Sequence, residues 1–182
     1  MRIIAGKHRG RKLADFKGLD IRPTSDRVKE SLFNILAQRV AGAHVLDLFC
    51  GSGNLGLESF SRGADFILFN DLSKDSLAVL KKNIAAVGAQ KSSKITNLDY
   101  LACLSSAAEK YDIIFIDPPY AKEFGVPALE IIAARKLLNE GGVAVYERDR
   151  AFSGEIAGLE KFDERKYGKT YLTFFHAPCL PL

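Results

Sequence analysis

The stretch Val45-Leu46-Asp47-Leu48-Phe49-Cys50-Gly51-Ser52-Gly53-Asn54-Leu55-Gly56 decides the fold. Its apolar first half has the length of a buried β-strand, and Gly51, Gly53 and Gly56 follow with the spacing G-x-G-x-x-G. Glycines at these positions permit a tight turn from a strand into a helix and a close approach of a ligand to the backbone. The stretch therefore predicts a strand, a glycine loop and a helix. A tight turn that binds nothing would use the same glycines.

The chain on both sides of this loop alternates between strand-length and helix-length segments. The predicted strands are His44–Phe49, Phe66–Asp71, Lys94–Leu98, Asp112–Asp117 and Val143–Glu147. The predicted helices are Leu55–Arg62, Ser73–Val87, Tyr100–Glu109 and Val126–Leu138. Short apolar strands that alternate with helices predict a mostly parallel sheet covered on both faces. The segments 161–166 and 170–176, joined by Tyr167-Gly168-Lys169, predict an antiparallel hairpin at the end of the sheet.

Residues 1–42 precede the alternation. They predict a small β-hairpin around the turn 6–10, and then a helix whose apolar face contains Val28, Leu32, Ile35 and Leu36. A chain of 182 residues has the length of one domain. We expect a single domain over 1–182, in which 1–42 form a basic extension and 43–182 form the Rossmann-like core.

The composition excludes several classes of protein. With 47% hydrophobic and 26% charged residues the chain has the composition of a globular domain. No apolar run reaches the roughly 18 residues that a membrane helix needs, and we expect a cytoplasmic protein without a membrane span. The three cysteines are too widely spaced for a disulfide framework or a CxxC metal site, so we expect no metal.

Positive charge is concentrated at the N-terminus. Residues 1–40 contain ten Lys or Arg against four Asp or Glu, a net charge of +6, whereas the remainder carries −2. A basic arm on a nearly neutral body indicates a polyanionic partner such as a nucleic acid, although a solvated charged face would have the same composition.

Acidic residues near the glycine loop indicate which cofactor it binds. Asp47 precedes the loop, where a carboxylate would repel a pyrophosphate and attract a cationic amine. Asp71 ends the next predicted strand, where it could accept hydrogen bonds from both ribose hydroxyls. Asp99 follows the third strand and could accept from an adenine amino group, with a helix N-cap as its alternative role. This set suits S-adenosylmethionine better than a dinucleotide. The predicted cofactor site consists of Asp47, Phe49, Cys50, Gly51, Gly53, Asp71, Leu72, Asp99 and Tyr100.

The candidate catalytic stretch is Asp117-Pro118-Pro119-Tyr120, which follows an apolar strand. The lone pair of an exocyclic amine on a nucleobase is delocalised into the ring. The Asp117 carboxylate and the Pro118 carbonyl could accept its two N–H groups, and Tyr120 could stack on an extruded base. Positioning would supply most of the rate, and the departing proton could go to Asp117 or to solvent. An acidic turn that merely ends a strand is the alternative.

The chain resembles the RsmD family of bacterial 16S rRNA (guanine-N2)-methyltransferases over nearly its whole length. The resemblance is carried by an N-terminal stretch (Arg2-Ile3-Ile4-Ala5-Gly6, Arg9-Gly10-Arg11-Lys12-Leu13), by Arg22-Pro23-Thr24 and Asp26 to Leu36, by Asp47 to Glu58, by Ser61-Arg62-Gly63-Ala64, by Asp117 to Tyr120 and by Tyr167-Gly168-Lys169-Thr170. Asp71 stands where many relatives have Glu, and Cys50 and Asn54 stand where Ala is frequent.

The resemblance implies a seven-stranded Rossmann-like class I methyltransferase fold with S-adenosylmethionine as methyl donor. It implies that the acceptor is the N2 amine of a guanine in 16S rRNA, within a largely assembled 30S subunit. The basic arm would then contact RNA phosphates through Arg9, Arg11, Lys12, Arg22 and Arg27. Arg22 or Arg27 could instead order the loop over the cofactor. We expect a monomer.

Three other functions use parts of the same pattern. An adenine-N6 methyltransferase acting on RNA or DNA would use the same Asp-Pro-Pro-Tyr site. A nicotinamide-dependent oxidoreductase would share the glycine loop, but Asp47, the Asp117 stretch and the basic arm argue against it. A non-catalytic RNA-binding assembly factor would not need Asp117–Tyr120 intact.

Overall fold

The computed structural model describes residues 1–15, 26–119 and 123–178. Its centre is a seven-stranded sheet with the strand order β3-β2-β1-β4-β5-β7-β6. The pairs β1/β2, β2/β3, β1/β4 and β4/β5 are parallel, whereas β5/β7 and β6/β7 are antiparallel. The predicted fold class, a mostly parallel sheet with an antiparallel C-terminal hairpin, is confirmed.

The strands are β1 His44–Asp47, β2 Phe66–Asn70, β3 Ser93–Thr96, β4 Tyr111–Ile116, β5 Leu138–Arg148, β6 Glu160–Tyr167 and β7 Thr170–His176. The helices are α1 Asp26–Leu36, α2 Asn54–Ser61, α3 Lys74–Val87, α4 Tyr100–Ser106 and α5 Gly125–Ala134, and 3-10 turns occupy Ala37–Arg39 and Gln90–Ser92.

Two predicted helices end earlier than the sequence pattern indicated. Helix α5 stops at Ala134, and the expected helical residue Leu138 begins β5 instead. Lys136 has a left-handed φ of 52°, and the amide of Leu137 donates to the carbonyl of Ile132 at 3.0 Å, which closes the helix end. Helix α4 ends at Ser106, because the Arg135 guanidinium donates to the carbonyls of Leu104, Ser105 and Ala107.

The predicted N-terminal hairpin forms as a short antiparallel pairing around the bridge between Arg2 and Lys12, where the amide of Ile3 donates to the carbonyl of Arg11 at 3.0 Å and the amide of Leu13 to that of Met1 at 3.1 Å. The amides of Ile4 and Ala5 donate outside the hairpin, to the carboxylate of Glu58 at 2.9 and 3.0 Å. Ile3 is fully buried, so residues 1–15 are anchored to the body of the protein and are not a free arm.

The sheet carries an apolar layer on each face. Alternate residues of β1 separate the layers, since Val45 packs with α1, α2 and α3 and Leu46 packs with α4 and α5. Both faces are therefore covered, and ligands can reach the parallel strands only at their ends. Among the described helices, none is long and apolar enough to cross a membrane.

Candidate active site at the carboxyl ends of the parallel strands

The strand order reverses direction at β1, which lies between β2 and β4. In an open α/β sheet, ligands bind in the crevice beyond the carboxyl ends of the strands at such a switch point. The glycine loop follows β1 and the Asp117 stretch follows β4, so both predicted site segments begin at this crevice. The pairing of Leu46 with Ile114 in the parallel register keeps the two strand ends at the same level.

The glycine loop is held by backbone and carboxylate contacts. The amide of Cys50 donates to the carbonyl of Asn70 at 2.9 Å, and the amide of Gly51 donates to Oδ2 of Asp71 at 2.8 Å. Gly53 is the N-cap of α2 with a left-handed φ of 89°. The loop thus enters the helix in a conformation that favours glycine.

Two of the three motif glycines are also required by packing. A Cβ on Gly56 would lie 2.2 Å from Cε1 of Phe69, and one on Gly53 would lie 2.4 Å from Cδ1 of Leu80. A Cβ on Gly51 would meet nothing within 4 Å. Gly56 therefore serves the contact between α2 and the sheet, and Gly51 is the glycine on the open side of the loop.

Asp47 is buried at the end of β1, with 2% of its surface exposed. Its Oδ2 accepts a hydrogen bond from the amide of Gly56 at 2.9 Å. Burial raises the pKa of Asp47 to about 7, with a smaller contribution from the charge of Asp71, whereas the bond from Gly56 opposes the rise. The carboxyl group of Asp47 thus supports the loop through Gly56. A cationic ligand beside it would stabilise its ionised form.

Asp71 and Leu72 follow β2 at the same edge. The oxygens of Asp71 accept from the amides of Gly51 and Ser73, both at 2.8 Å, so this carboxylate shapes the loop. Leu72 is 70% exposed, more than any other large apolar side chain among the described residues. The amide nitrogen of Asn97 donates to the carbonyls of Asp71 and Leu72 at 2.9 Å and fixes the turn, a role that the sequence did not indicate.

Asp99 caps helix α4, since its Oδ1 accepts from the amide of Ala102 at 2.9 Å. Asp99 therefore has the alternative role of a helix N-cap, and a hydrogen bond from an adenine amino group would be a second role. Tyr100 belongs to an aromatic cluster with Phe49 and Phe124, with ring centroids 4.9 to 6.4 Å apart. Phe49 follows β1, Tyr100 begins α4 and Phe124 precedes α5, so the cluster joins three loops of the chain. All three side chains are half-buried beside the crevice.

Cys50 has a buried side chain at the start of the loop. Burial raises the pKa of its thiol well above the usual value, and the negative charges of Asp47 and Asp71 add to the rise. The thiol is therefore protonated near neutral pH, and Cys50 contributes to the site through its backbone and its volume.

Asp117 lies directly after β4, followed by buried Pro118 and exposed Pro119. Burial raises the pKa of Asp117 well above its ordinary range, and the charges of Glu147 and Asp47 raise it further. Tyr120, the last residue of the predicted catalytic stretch, lies outside the described residues.

Glu147 is the site residue that sequence reasoning missed. Ile116 is paired with Tyr146 in the parallel register, so the next residues, Asp117 and Glu147, are neighbours at the strand ends. Glu147 is 4% exposed. The sequence signal for Glu147 was that an acidic residue ends a predicted apolar strand. This signal did not place Glu147 beside Asp117, because the two strands are neighbours only in the tertiary structure.

The predicted RNA contacts lie on two elements. Arg9 and Lys12 are exposed on the N-terminal turn, and Arg27 is exposed on α1. Arg11 is exposed as well, but its guanidinium donates to the carbonyl of Ala86 at 2.7 Å and so ties the turn to the end of α3. Arg22 lies outside the described residues. Within 1–15, 26–119 and 123–178, no group of three or more His, Cys, Asp or Glu is arranged to hold a metal ion.

Comparison with known proteins identifies the family. The family model described as "Conserved hypothetical protein 95" matches residues 1–176. Ribosomal RNA small subunit methyltransferase D of Haemophilus influenzae is 34% identical over 153 residues, which are 82% of this chain and 79% of that protein. The Escherichia coli protein of the same name is 38% identical over 122 residues, covering 67% and 61% of the two chains.

A solved structure gives the same result at the level of the fold. The structure of yhhF from Escherichia coli matches with a TM-score of 0.89 and 30% identity, covering 99% of each chain. The agreement therefore includes the N-terminal segment as well as the sheet. The chain belongs to this family, that of the ribosomal RNA small subunit methyltransferase D proteins.

Proposed function

We propose that this protein transfers a methyl group from S-adenosylmethionine to the exocyclic N2 amine of a guanine in 16S rRNA, within assembled or partly assembled 30S subunits. The observation that carries the proposal is the Asp117-Pro118 pair at the end of β4, across the switch point from the glycine loop after β1. The names of the family relatives, which are small-subunit rRNA methyltransferases, support methylation of small-subunit rRNA.

The residues at the end of β1 and β2 fit S-adenosylmethionine. Its amino group carries a positive charge, and the buried Asp47 carboxyl would be stabilised in its ionised form by that charge. Asp71 retains lone pairs for ribose hydroxyls in addition to the two amides it accepts, and exposed Leu72 offers an apolar surface for the adenine ring. Asp99 and Tyr100 would border the adenine edge. When bound, the cofactor supplies an electrophilic methyl group on a sulfonium centre.

The Asp117 stretch would hold the acceptor amine. The Asp117 carboxylate and the Pro118 carbonyl would accept its two N–H groups, which directs the nitrogen lone pair at the methyl group. Proline has no backbone N–H, so Pro118 and Pro119 place no competing donor at the amine. Tyr120 would stack on the flipped base.

The raised pKa of Asp117 also bears on the departing proton. A carboxylate with a raised pKa is the stronger base, and the neighbouring negative charge of Glu147 makes protonation of Asp117 more favourable. In its ionised form Asp117 could therefore take up the departing proton, and release to solvent is the alternative route.

The basic N-terminal region would position the RNA. Arg9, Arg11, Lys12, Arg22 and Arg27 would contact phosphates, and these contacts fix orientation without reading sequence. In this proposal residues 1–42 are the RNA-contacting extension of a catalytic core at 43–182, and the protein acts as a monomer.

The test is methyl transfer from labelled S-adenosylmethionine to three acceptors. These are 30S subunits from cells that lack the enzyme, naked 16S rRNA and duplex DNA, with product nucleosides separated by mass spectrometry. We expect N2-methylguanosine, mainly with 30S subunits. N6-methyladenine would replace the proposed base with adenine at the same site, and a protein that binds the cofactor but methylates none of the acceptors would contradict the proposed substrate.

A further inference from the structure

We infer that Asn83 and Lys29 are positioning residues that tie the basic N-terminal segment (residues 1–15) to the cofactor loop (residues 50–54), so that cofactor binding and RNA binding strengthen each other. The inference rests on the proposed function, because it assigns the loop to the cofactor and the segment to RNA. It goes further in naming the side chains that connect the two.

Asn83 makes the first connection. It lies on α3 and is 1% exposed. Its Oδ1 accepts from the amide of Ala14 at 2.7 Å, and its Nδ2 donates to the carbonyls of Ala14 and Ser52, both at 2.9 Å. One side chain therefore uses its acceptor and both donors on the end of the segment and the middle of the loop.

Lys29 makes the second connection. Its ammonium is 1% exposed on α1 and donates to the carbonyl of Arg2 at 2.6 Å and to Oδ1 of Asn54 at 2.8 Å. Its third contact is Oε2 of Glu58 at 3.2 Å. Asn54 is the first residue of α2, directly after the loop glycines. Burial lowers the pKa of Lys29, whereas Glu58 opposes the change, so the ammonium depends on these partners for its charge.

Glu58 makes the segment and the lysine one unit. Its carboxylate is fully buried and accepts from the amides of Ile4 and Ala5 as well as from Nε of Arg62 at 2.8 Å. Movement of the segment away from α2 would leave buried donors and acceptors unpaired at several positions, which is costly. The segment and the loop therefore shift together.

The same segment carries exposed basic side chains that could contact a polyanion. Lys7, Arg9 and Lys12 are exposed, and Asn83 and Lys29 hold the two ends of their segment through Ala14 and Arg2. Phosphate contacts that restrain this backbone would favour the loop conformation seen here. By thermodynamic reciprocity, a cofactor bound to the loop would favour RNA binding by the same factor.

The test measures this factor directly. The dissociation constant for 30S subunits is determined by filter binding with and without saturating S-adenosylhomocysteine, whose own affinity is measured by calorimetry. For the unmodified protein we expect S-adenosylhomocysteine to tighten 30S binding at least about fivefold, the lower end of typical coupling between sites. In Asn83→Ala and in Lys29→Met the factor should fall to about two or less, while 30S binding without cofactor changes little because the basic side chains remain.

The matched control is Asn139→Ala. Asn139 is also a partly buried amide, which donates to Oδ1 of Asp112 at 2.8 Å at the amino ends of β4 and β5, the edge of the sheet opposite to the cofactor loop. This variant should keep the full coupling factor. Retention of the factor in both Asn83→Ala and Lys29→Met would overturn the inference, as would a factor of one in an unmodified protein that binds both ligands.

Hydrogen exchange provides a second readout that needs no RNA and no variant. The amides of Ile3, Gly10 and Leu13 are bonded within the segment, and S-adenosylhomocysteine should slow their exchange if the loop and the segment are linked. Protection confined to the loop would count against the link even if Asn83→Ala failed to fold. Failure of the unmodified protein to bind either S-adenosylhomocysteine or 30S subunits would contradict the proposed function itself.

Discussion

Asp117 at the end of β4 and Glu147 at the end of β5 are neighbouring carboxyl groups, one residue beyond the paired Ile116 and Tyr146. Glu147 is buried and Asp117 is half-buried, and the charge of Glu147 raises the pKa of Asp117 in addition to the effect of burial. Two carboxylates so placed resist simultaneous ionisation. In the proposed reaction, this pair of carboxyl groups could therefore take up a proton released at this edge of the sheet.

Replacement of Asp117 by Ala should remove methyl transfer and leave cofactor binding intact. The carboxylate is assigned to the acceptor amine, whereas the cofactor is assigned to β1 and β2. We expect a rate loss of about 100- to 10,000-fold, measured with labelled S-adenosylmethionine and 30S subunits. Loss of S-adenosylhomocysteine affinity together with activity would contradict this assignment.

Replacement of Glu147 by Gln should shift the pH–rate profile. The amide carries no charge, so Asp117 would ionise at lower pH, and the acidic limb of the profile should move to lower pH. The control Glu130→Gln changes an exposed glutamate on α5 and should leave the profile in place. An acidic limb that does not move in Glu147→Gln would show that Glu147 does not act on Asp117 during the reaction.

Asp47 should make the protein less stable at alkaline pH. Its pKa is raised from 3.8 to about 7 in the folded state, so between these values the folded protein holds a proton that the unfolded chain has lost. The free energy of unfolding therefore falls as pH rises through this window, by up to about 4 kcal/mol. Asp47→Asn should raise Tm at pH 8 relative to the unmodified protein, with the gain vanishing below pH ~4.

The same carboxyl group should make cofactor affinity depend on pH. If ionised Asp47 attracts the cofactor amine, S-adenosylhomocysteine should bind about tenfold more tightly at pH 8 than at pH 6, because the ionised fraction rises by about that factor around a pKa of about 7. Calorimetry at the two pH values measures this. Asp47→Asn should bind weakly with no such pH dependence, and an unchanged affinity in that variant would remove Asp47 from the cofactor site.

Removal of the exposed basic side chains should flatten the salt dependence of RNA binding. In the variant Arg9→Ala/Arg11→Ala/Lys12→Ala three phosphate contacts would be lost, and the slope of log K against log salt should decrease by about 2. Lys110→Ala, an exposed charge before β4, is the control and should change the slope little. An unchanged slope in the triple variant would exclude these residues from the RNA interface.

Gly56 should be required for packing against β2. A Cβ there would lie 2.2 Å from the Phe69 ring, so Gly56→Ala should lower the free energy of unfolding by about 1–3 kcal/mol. Phe69→Leu shortens the opposing side chain, and the double variant should be less destabilised than the sum of the two single changes. Denaturant unfolding of the four proteins measures the difference, and strict additivity would argue against the contact.

The sequence by itself determined the order of elements and the residues at the strand ends. Parallel strands that are buried on both faces have nearly continuous apolar sequences, and this pattern predicted β1 and β4. The glycine loop and Asp117 follow these strands directly in the chain. Helix ends were less predictable. The end of α5 depends on the left-handed Lys136, and the end of α4 depends on the distant Arg135, neither of which has a local sequence signal.

The tertiary structure alone decided which polar side chains meet. Glu147 reaches Asp117 only because β5 pairs with β4, and Asn83 reaches Ser52 and Ala14 only because α3 packs under the loop. Lys29 and Glu58, 29 residues apart in the chain, are buried together although each would be expected at the surface. Such contacts join residues distant in sequence, and a buried charge or amide left without its partner would be costly, a constraint that no local pattern records.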